Sequence, residues 1–333
     1  MNTEQDTEYF LPTPRSATSP TRMRTDTASM LLPFFPEERG LTRFESEVAG
    51  HKIVITTLSD TIPIATTTDR KILTFIAGAV ARMIRDGHAP NRFIELDARD
   101  IVLALHGDTV TGGSDYQRIK DRMRRLENTI IETEMPIGND TVSLSEFRWL
   151  NQVKYIARDT SGGRQLIAMR VEISEPAFRW MTLRLGIDIG QREYQKITAS
   201  RSSVWRIYEI CLAQLLENGE PARIHIDELR ERVPIRSELK IFKTRTLRTA
   251  MQTIMNTPEM SGRIRIHLEQ RTDDGFVPTS FSRRAHLDRL FIRIRASSGR
   301  LPIPAMILGD ETMLAPAGGP RTTGPLTQKG DRS

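Results

Sequence analysis

The residues best suited to chemistry are basic ones gathered at helical spacing late in the chain. Between Arg236 and Arg248 stand Arg236, Lys240, Lys243, Arg245 and Arg248 against one acid, Glu238. Arg245, Arg248 and Gln252 recur by steps of three and four, which puts them on one stripe away from Leu247, Met251 and Ile254. Lys240 and Lys243 fall at the start of the same helix. Such a face binds phosphate and reads base edges in a duplex groove. A weaker stripe lies upstream, where Arg118, Arg122 and Arg125 stand opposite Ile119, Met123 and Leu126, diluted by Asp115, Asp121 and Glu127. The competing reading of both stripes is a solvated helix face, or for the upstream one a protein-binding face. Further on, Arg263, Arg265, Arg293 and Arg295 alternate with Ile264, Ile266, Ile292 and Ile294. Alternation sends the arginines to one face of a hairpin and the isoleucines to the core. Arg283 and Arg284 sit in the loop between, placed as a wing tip would be to touch phosphate or enter the minor groove. An ordinary polar outer face competes with that reading.

Enzymatic readings find no seat. The run Gly107 to Ser114 has P-loop spacing, but Gly113 stands where the lysine is needed and the loop follows a helix rather than a strand. The six histidines are scattered without a His-x-His pair, so Tyr194 and Tyr208 are read as packing residues rather than nuclease nucleophiles. Neither Gly-x-Ser-x-Gly nor His-Glu-x-x-His occurs. Cys211 is the sole cysteine, which rules out an internal disulfide or a cysteine zinc cluster and fits a reducing cytoplasm. The expectation is therefore a non-enzyme with no catalytic residue, metal or cofactor.

The elements that carry the basic stripes come twice. A long helix starting near Thr68, with Thr67, Thr68 or Asp69 as cap, carries Ile72, Phe75, Ile76, Ala79, Val80 and Met83 and stops at Gly87. Its counterpart starts at Ser200 or Ser202, carries Val204, Ile207, Tyr208, Cys211, Leu212 and Leu215, and stops at Gly219. Each is followed by a short strand, an aspartate suited to capping (Asp97, Asp227), a short helix, a turn and the basic helix. Both copies end in alternating strands: Glu146 to Ala157 with Gln165 to Ile173, and Arg263 to Gln270 with Leu290 to Arg295 joined by a long polar loop. Helix, strand, helix, turn, helix and hairpin is the winged helix-turn-helix pattern. The fold class expected is α+β, two tandem winged-helix domains.

The chain has 333 residues, enough for two domains. Its net charge is +6, and all but eight of the 48 basic residues are arginine. Arginine suits phosphate recognition, although a GC-rich genome also writes it by default. From Glu193 to Ala296 there are 19 basic against 13 acidic residues, so the whole net charge sits in that third. Residues 11–29 are rich in Pro, Thr and Ser and include Arg15, Arg22 and Arg24, and Pro and Gly return after Ser297. The expected organisation is a disordered arm over 1–40, winged-helix domains over 41–190 and 191–296, and a disordered tail over 297–333. Met30 to Phe35 forms an apolar patch suited to docking on the body or on a partner. No apolar run reaches membrane-spanning length, and the acidic, polar N-terminus is unlike a signal peptide, so a cytoplasmic location is expected.

The stretches from Ile64 to Leu73, from Tyr116 to Ile119, from Arg125 to Thr133 and from Arg206 to Ile210 resemble the plasmid replication initiators of the RepA type, the replication initiator protein A family. The resemblance covers about Leu41 to Ala296. It implies binding to directly repeated sites (iterons) in double-stranded DNA at a plasmid replication origin, melting of nearby AT-rich DNA with a host initiator, and help in loading the replicative helicase. It further implies that the second domain reads the major groove and that the first supports homodimer formation or a further DNA contact. On this sequence those roles fall to Lys240, Lys243, Arg245 and Arg248, with Arg118, Arg122 and Arg125 as the second set.

Two other functions fit the same fold. One is a dimeric winged-helix regulator that binds an operator, and the other is a scaffold without a DNA role. Leu290-Phe291 faintly resembles the end of a sliding-clamp peptide, but the alternation through Ile292 and Ile294 places both residues at the start of a buried strand.

Overall fold

The computed structural model describes residues 22–297 apart from 49, 108–111, 134–135, 138–139, 142–143, 161–162, 184–185, 234, 236 and 282–286. The chain enters through β1 (Arg22–Asp26) and α1 (Thr27–Leu31). Met23, Met30, Phe34 and Phe35 are buried along this stretch. The arm expected over residues 1–40 is thus corrected from Arg22 onward. The segment looks too polar to order, yet Arg24, Thr25 and Asp26 are buried because protein partners replace water. Of the two docking targets expected for Met30 to Phe35, the body is the one used, and Phe34 stacks on Trp180 at 5.2 Å. Residues 1–21 and the tail beyond Ser297 lie outside the described residues.

A hairpin follows, β2 (Arg43–Val48) and β3 (His51–Thr57), and then the long helix α2 (Thr67–Arg85). The cap of α2 is Thr66, one residue before those expected, and the Thr66 N–H donates to Asp69 at 2.8 Å. Next come β4 (Phe93–Asp97), α3 (Ala98–His106) and α4 (Gly113–Asn128). Asp97 caps α3 as expected, accepting from the N–H groups of Arg99 and Asp100 at 2.7 and 3.3 Å. The chain continues through β5 (Thr129–Thr133), the two-residue pair β6 (Pro136–Ile137) and β7 (Asp140–Thr141), and β8 (Leu144–Arg148). The hairpin β9 (Leu150–Thr160) and β10 (Gly163–Ile173) closes the first copy. β4 joins β10, giving the order β4-β10-β9. β2, β3, β5 and β8 form a separate antiparallel sheet beside it.

Between the copies lie α5 (Glu175–Leu183), β11 (Gly186–Gly190) and α6 (Gln191–Thr198). β1 pairs with β11 across the molecule, from Arg22 opposite Gly190 to Asp26 opposite Gly186. The second copy opens with α7 (Ser202–Asn218), β12 (Ala222–His225) and α8 (Ile226–Arg232). The residue capping α8 is His225, whose Nδ1 accepts from the Asp227 N–H at 3.3 Å, so Asp227 is corrected from cap to first-turn residue. The basic helix is continuous through α9 (Leu239–Ile241), a π-helical stretch (Phe242–Leu247) and α10 (Arg248–Asn256). After α11 (Pro258–Ser261) come β13 (Ile264–Thr272), β14 (Gly275–Pro278) and β15 (Leu290–Ala296). β12 joins β15, giving β12-β15-β13-β14. The long polar loop expected between β13 and β15 therefore contains a strand of its own.

The two copies repeat one order of elements, and in each the short strand pairs with the last strand of the hairpin. Ile264, Ile266, Ile292 and Ile294 are all buried, as their alternation predicts, and so is Leu290. One hydrophobic core runs through both copies and the N-terminal segment. No helix among the described residues is long and apolar enough to cross a membrane.

Candidate nucleic-acid interface

The helix that runs from Leu239 to Asn256 buries Phe242, Leu247, Ala250 and Ile254 against the second copy. Its opposite side exposes Lys240, Ile241, Thr244, Arg245, Arg248, Thr249 and Gln252. None of the three basic residues on that side has an acidic partner among the described residues. Helical periodicity explains the separation, because positions three and four apart share a face. Two grooves flank the exposed side. One, of about 360 Å³, lies between Arg248, Met251 and Gln252 and the Ser280-Phe281 loop. The other, of about 140 Å³, lies between Arg245, Thr246 and Thr249 and the start of α7 at Arg201 and Ser203.

Lys243 departs from expectation. It is 2% exposed, and burial holds its amine below the ordinary lysine value. The sequence carried the signal: Lys243 lies four residues before Leu247 and seven before Ala250, which is the core side of the helix. It is therefore corrected from a DNA-facing to a buried residue. Ile241, Thr244 and Thr249 occupy the surface instead, and the same count would have found them.

The arginines of the second hairpin divide into two groups. Arg265 and Arg295 are exposed. Arg263 is held by Glu193 through two hydrogen bonds of 2.7 and 2.8 Å, and Arg293 donates to the buried Glu269 at 2.9 Å. The tip between β13 and β14 is Asp273-Asp274, an acidic pair unsuited to gripping phosphate. Arg283 and Arg284 lie outside the described residues.

In the first copy, Arg122 and Arg125 of the expected stripe turn toward α2 rather than outward, whereas Arg118 stays on the surface. Arg125 donates from Nε and Nη2 to the two Asp69 oxygens, each at 2.8 Å. Arg122 approaches the same carboxylate only to 4.0 Å. Arg118 is 63% exposed, 3.3 Å from Asp115. Gln117 and Arg124, about a quarter-turn round α4 from the expected stripe, are exposed together with Arg118. Residues 56 apart in sequence make the Arg125 pairing, and no local spacing signals it.

Tyr194 and Tyr208 are buried, and desolvation holds both hydroxyls above the ordinary tyrosine value. Thr74 donates to the Tyr194 oxygen at 3.0 Å. Burial pushes the Cys211 thiol up to about 12. The described residues contain no cluster of His, Cys, Asp and Glu able to hold a metal ion.

The sequence profile of the replication initiator protein A family matches residues 24–260. The chain belongs to this family. The initiator is also similar to a crystal structure of domains 2 and 3 of RctB, with a TM-score of 0.50 and 15% identity over 81% of this chain and 96% of that one. A second crystal structure of RctB domains 2–3 matches at 12% identity and a TM-score of 0.44, covering 80% of this chain and 95% of that one. At 15% identity the first likeness concerns the fold alone, a mixture of helix and sheet. No curated protein sequence matches the initiator.

Proposed function

We propose that this initiator binds repeated sites (iterons) in duplex DNA at a plasmid replication origin, through two tandem winged helices of which the second reads sequence. The observation that carries this reading is the exposed face of the helix from Leu239 to Asn256. There Lys240, Arg245 and Arg248 stand with Thr244, Thr249 and Gln252 and without an acidic partner among the described residues. A planar guanidinium pairs bidentately with guanine, an amide side chain with adenine, and hydroxyls with phosphate. The first copy contributes positioning contacts from Arg118 and Arg124, because Arg125 is held by Asp69. Opening of AT-rich DNA with a host initiator and helicase loading, in the cytoplasm and without catalysis by this chain, belong to the same proposal. So does a homodimer.

The test is a footprint of the protein on the DNA beside its own gene, with Arg245→Ala and Arg248→Ala in parallel. Protection of short direct repeats that weakens in both variants is the expected result. Protection of a lone inverted repeat would favour the operator-binding regulator, and no protection at all would overturn the assignment.

A further inference from the structure

Arg39, Arg118, Arg122 and Arg125 converge on one cleft of about 470 Å³. Arg39 comes from the loop before β2, Arg122 and Arg125 come from the inward side of α4, and the exposed Arg118 borders the mouth. Thr66 and Thr68, at the start of α2, form the opposite wall, and Asp121 is the one acid among its described lining residues. Like charges repel more strongly where burial removes water, so such a gathering calls for a counter-charge.

The protein supplies only part of it. Asp69 answers Arg125 with two hydrogen bonds and also accepts from the Thr66 N–H. Arg122 is 17% exposed, stays 4.0 Å from that carboxylate and donates no hydrogen bond among the described residues. Its guanidinium is held below the ordinary arginine value by burial, against the pull of Asp69 and with the push of Arg125, Arg118 and Arg39. Two neighbours register the same field. Burial and then Arg122 lower the Lys71 amine to about 8, and the same two causes, in that order, lower His106.

We propose that the cleft binds a compact anion carrying two or more linked phosphates, either inorganic or the phosphate chain of a nucleotide. With Arg125 held by Asp69, the forks of Arg39, Arg118 and Arg122 still address more oxygens than one phosphate offers, since each fork takes two. The cleft volume falls in the range of small-ligand sites. A duplex lying on α4 meets Gln117, Arg118 and Arg124 on the outer side, whereas Arg39 and Arg122 face the cleft about a quarter-turn away against α2, with Arg118 bordering both. This inference stands apart from the DNA-binding reading, because its test contains an arm without DNA.

The full chain is titrated calorimetrically with inorganic pyrophosphate, inorganic triphosphate and adenosine triphosphate at constant ionic strength, with sulfate as reference. Pyrophosphate should bind at least about tenfold more tightly than sulfate, and Arg122→Gln and Arg39→Ala should each weaken it by about tenfold. Arg39 is exposed in a loop, so its variant should match the parent in circular dichroism and in duplex affinity. Adenosine triphosphate binding at least as well as triphosphate would identify a nucleotide as the source. Weaker binding of the nucleotide would identify an inorganic chain. Oligophosphates that bind no better than sulfate, or a variant Arg39→Ala that titrates like the parent, would overturn the proposal. Loss of duplex affinity in Arg39→Ala without any oligophosphate binding would assign these arginines to DNA phosphodiesters instead.

Discussion

Arg70 of α2 donates to the carboxylate of Glu209 of α7, and both side chains are buried. The pair joins the opening helices of the two copies. Arg70 also donates to Thr25 of β1 at 2.7 Å, and Arg206 lies 3.6 Å from the same Glu209 oxygen. Burial, then the nearby Arg70, lowers the Arg206 guanidinium to about 9, while Glu209 opposes that shift. One carboxylate is therefore shared by two buried guanidiniums at the junction of the two copies and the N-terminal segment, with Asp26 adding attraction for Arg70.

Removal of that carboxylate should cost more than removal of either arginine. Glu209→Gln leaves two buried cations facing each other and should destabilise by about 3–5 kcal/mol. Arg70→Met should cost less, because Arg206 remains to answer Glu209. Urea unfolding of the three proteins checks the order, and equal losses would show that Glu209 does not serve both partners.

The N-terminal segment makes a second expectation. Phe34 is fully buried and packs between Trp149 and Trp180, with ring centroids 5.8 and 5.2 Å away. Phe34→Ala should cost about 3–5 kcal/mol, as truncation of a core aromatic does. A chain shortened to begin at Leu41 should accordingly be much less stable than one beginning at Arg22. Equal thermal midpoints for the two shortened chains would mean that the segment is only an appendage.

The repeated order of elements was legible in the sequence because helical and strand periodicities are local. The caps were legible only in part, since Asp97 behaves as its type suggests while His225 displaces Asp227. Burial of Arg24, Arg70 and Arg206 was not legible. Each depends on an acceptor far along the chain, and composition alone makes such residues look solvated. The exposed basic face was legible wherever the core stripe was counted through, and the reading failed at Lys243 where it was not. The inward turn of Arg122 and Arg125 depends on Asp69 and the packing of α4 on α2, which spacing within α4 does not reveal.

The contrast between Lys243 and its neighbours gives a third expectation. Arg245→Ala or Arg248→Ala should cost about 1–3 kcal/mol on the specific site and less on a scrambled duplex. Lys243→Met should leave both affinities unchanged, since the amine is buried on the far side of the helix. Parent affinity should fall steeply with salt, by a log-log slope of roughly 0.9 per phosphate contact. All three variants belong in one titration at fixed salt. Loss of specific binding in Lys243→Met with an intact fold would return that residue to the interface.

The pH dependence of stability should carry a signature of Lys71. Its Nζ donates to the Thr198 carbonyl at 2.9 Å, and burial followed by repulsion from Arg122 lowers it to about 8, with Glu209 opposing. In the unfolded chain the amine titrates near the ordinary lysine value of about 10.4. Between these values the unfolded state holds more protons than the folded state, so this group raises stability as pH rises and leaves its full penalty in place below about 8. Tyr194 and Tyr208 act in the opposite sense at higher pH, because burial raises their folded values above the ordinary tyrosine value of about 10. Cys211 also opposes the rise, because burial lifts its folded value to about 12 from an unfolded value of about 8.5. Arg206, lowered to about 9, adds to it, so the lysine is isolated only by comparing parent and variant between about pH 8 and 9.5. In Lys71→Met the lysine's share of the rise should vanish while the contributions of Cys211, Arg206 and the tyrosines stay. The measurement is the difference in unfolding free energy between parent and variant across that window. A difference that does not grow with pH would mean that the lysine keeps its ordinary affinity for protons in the folded protein.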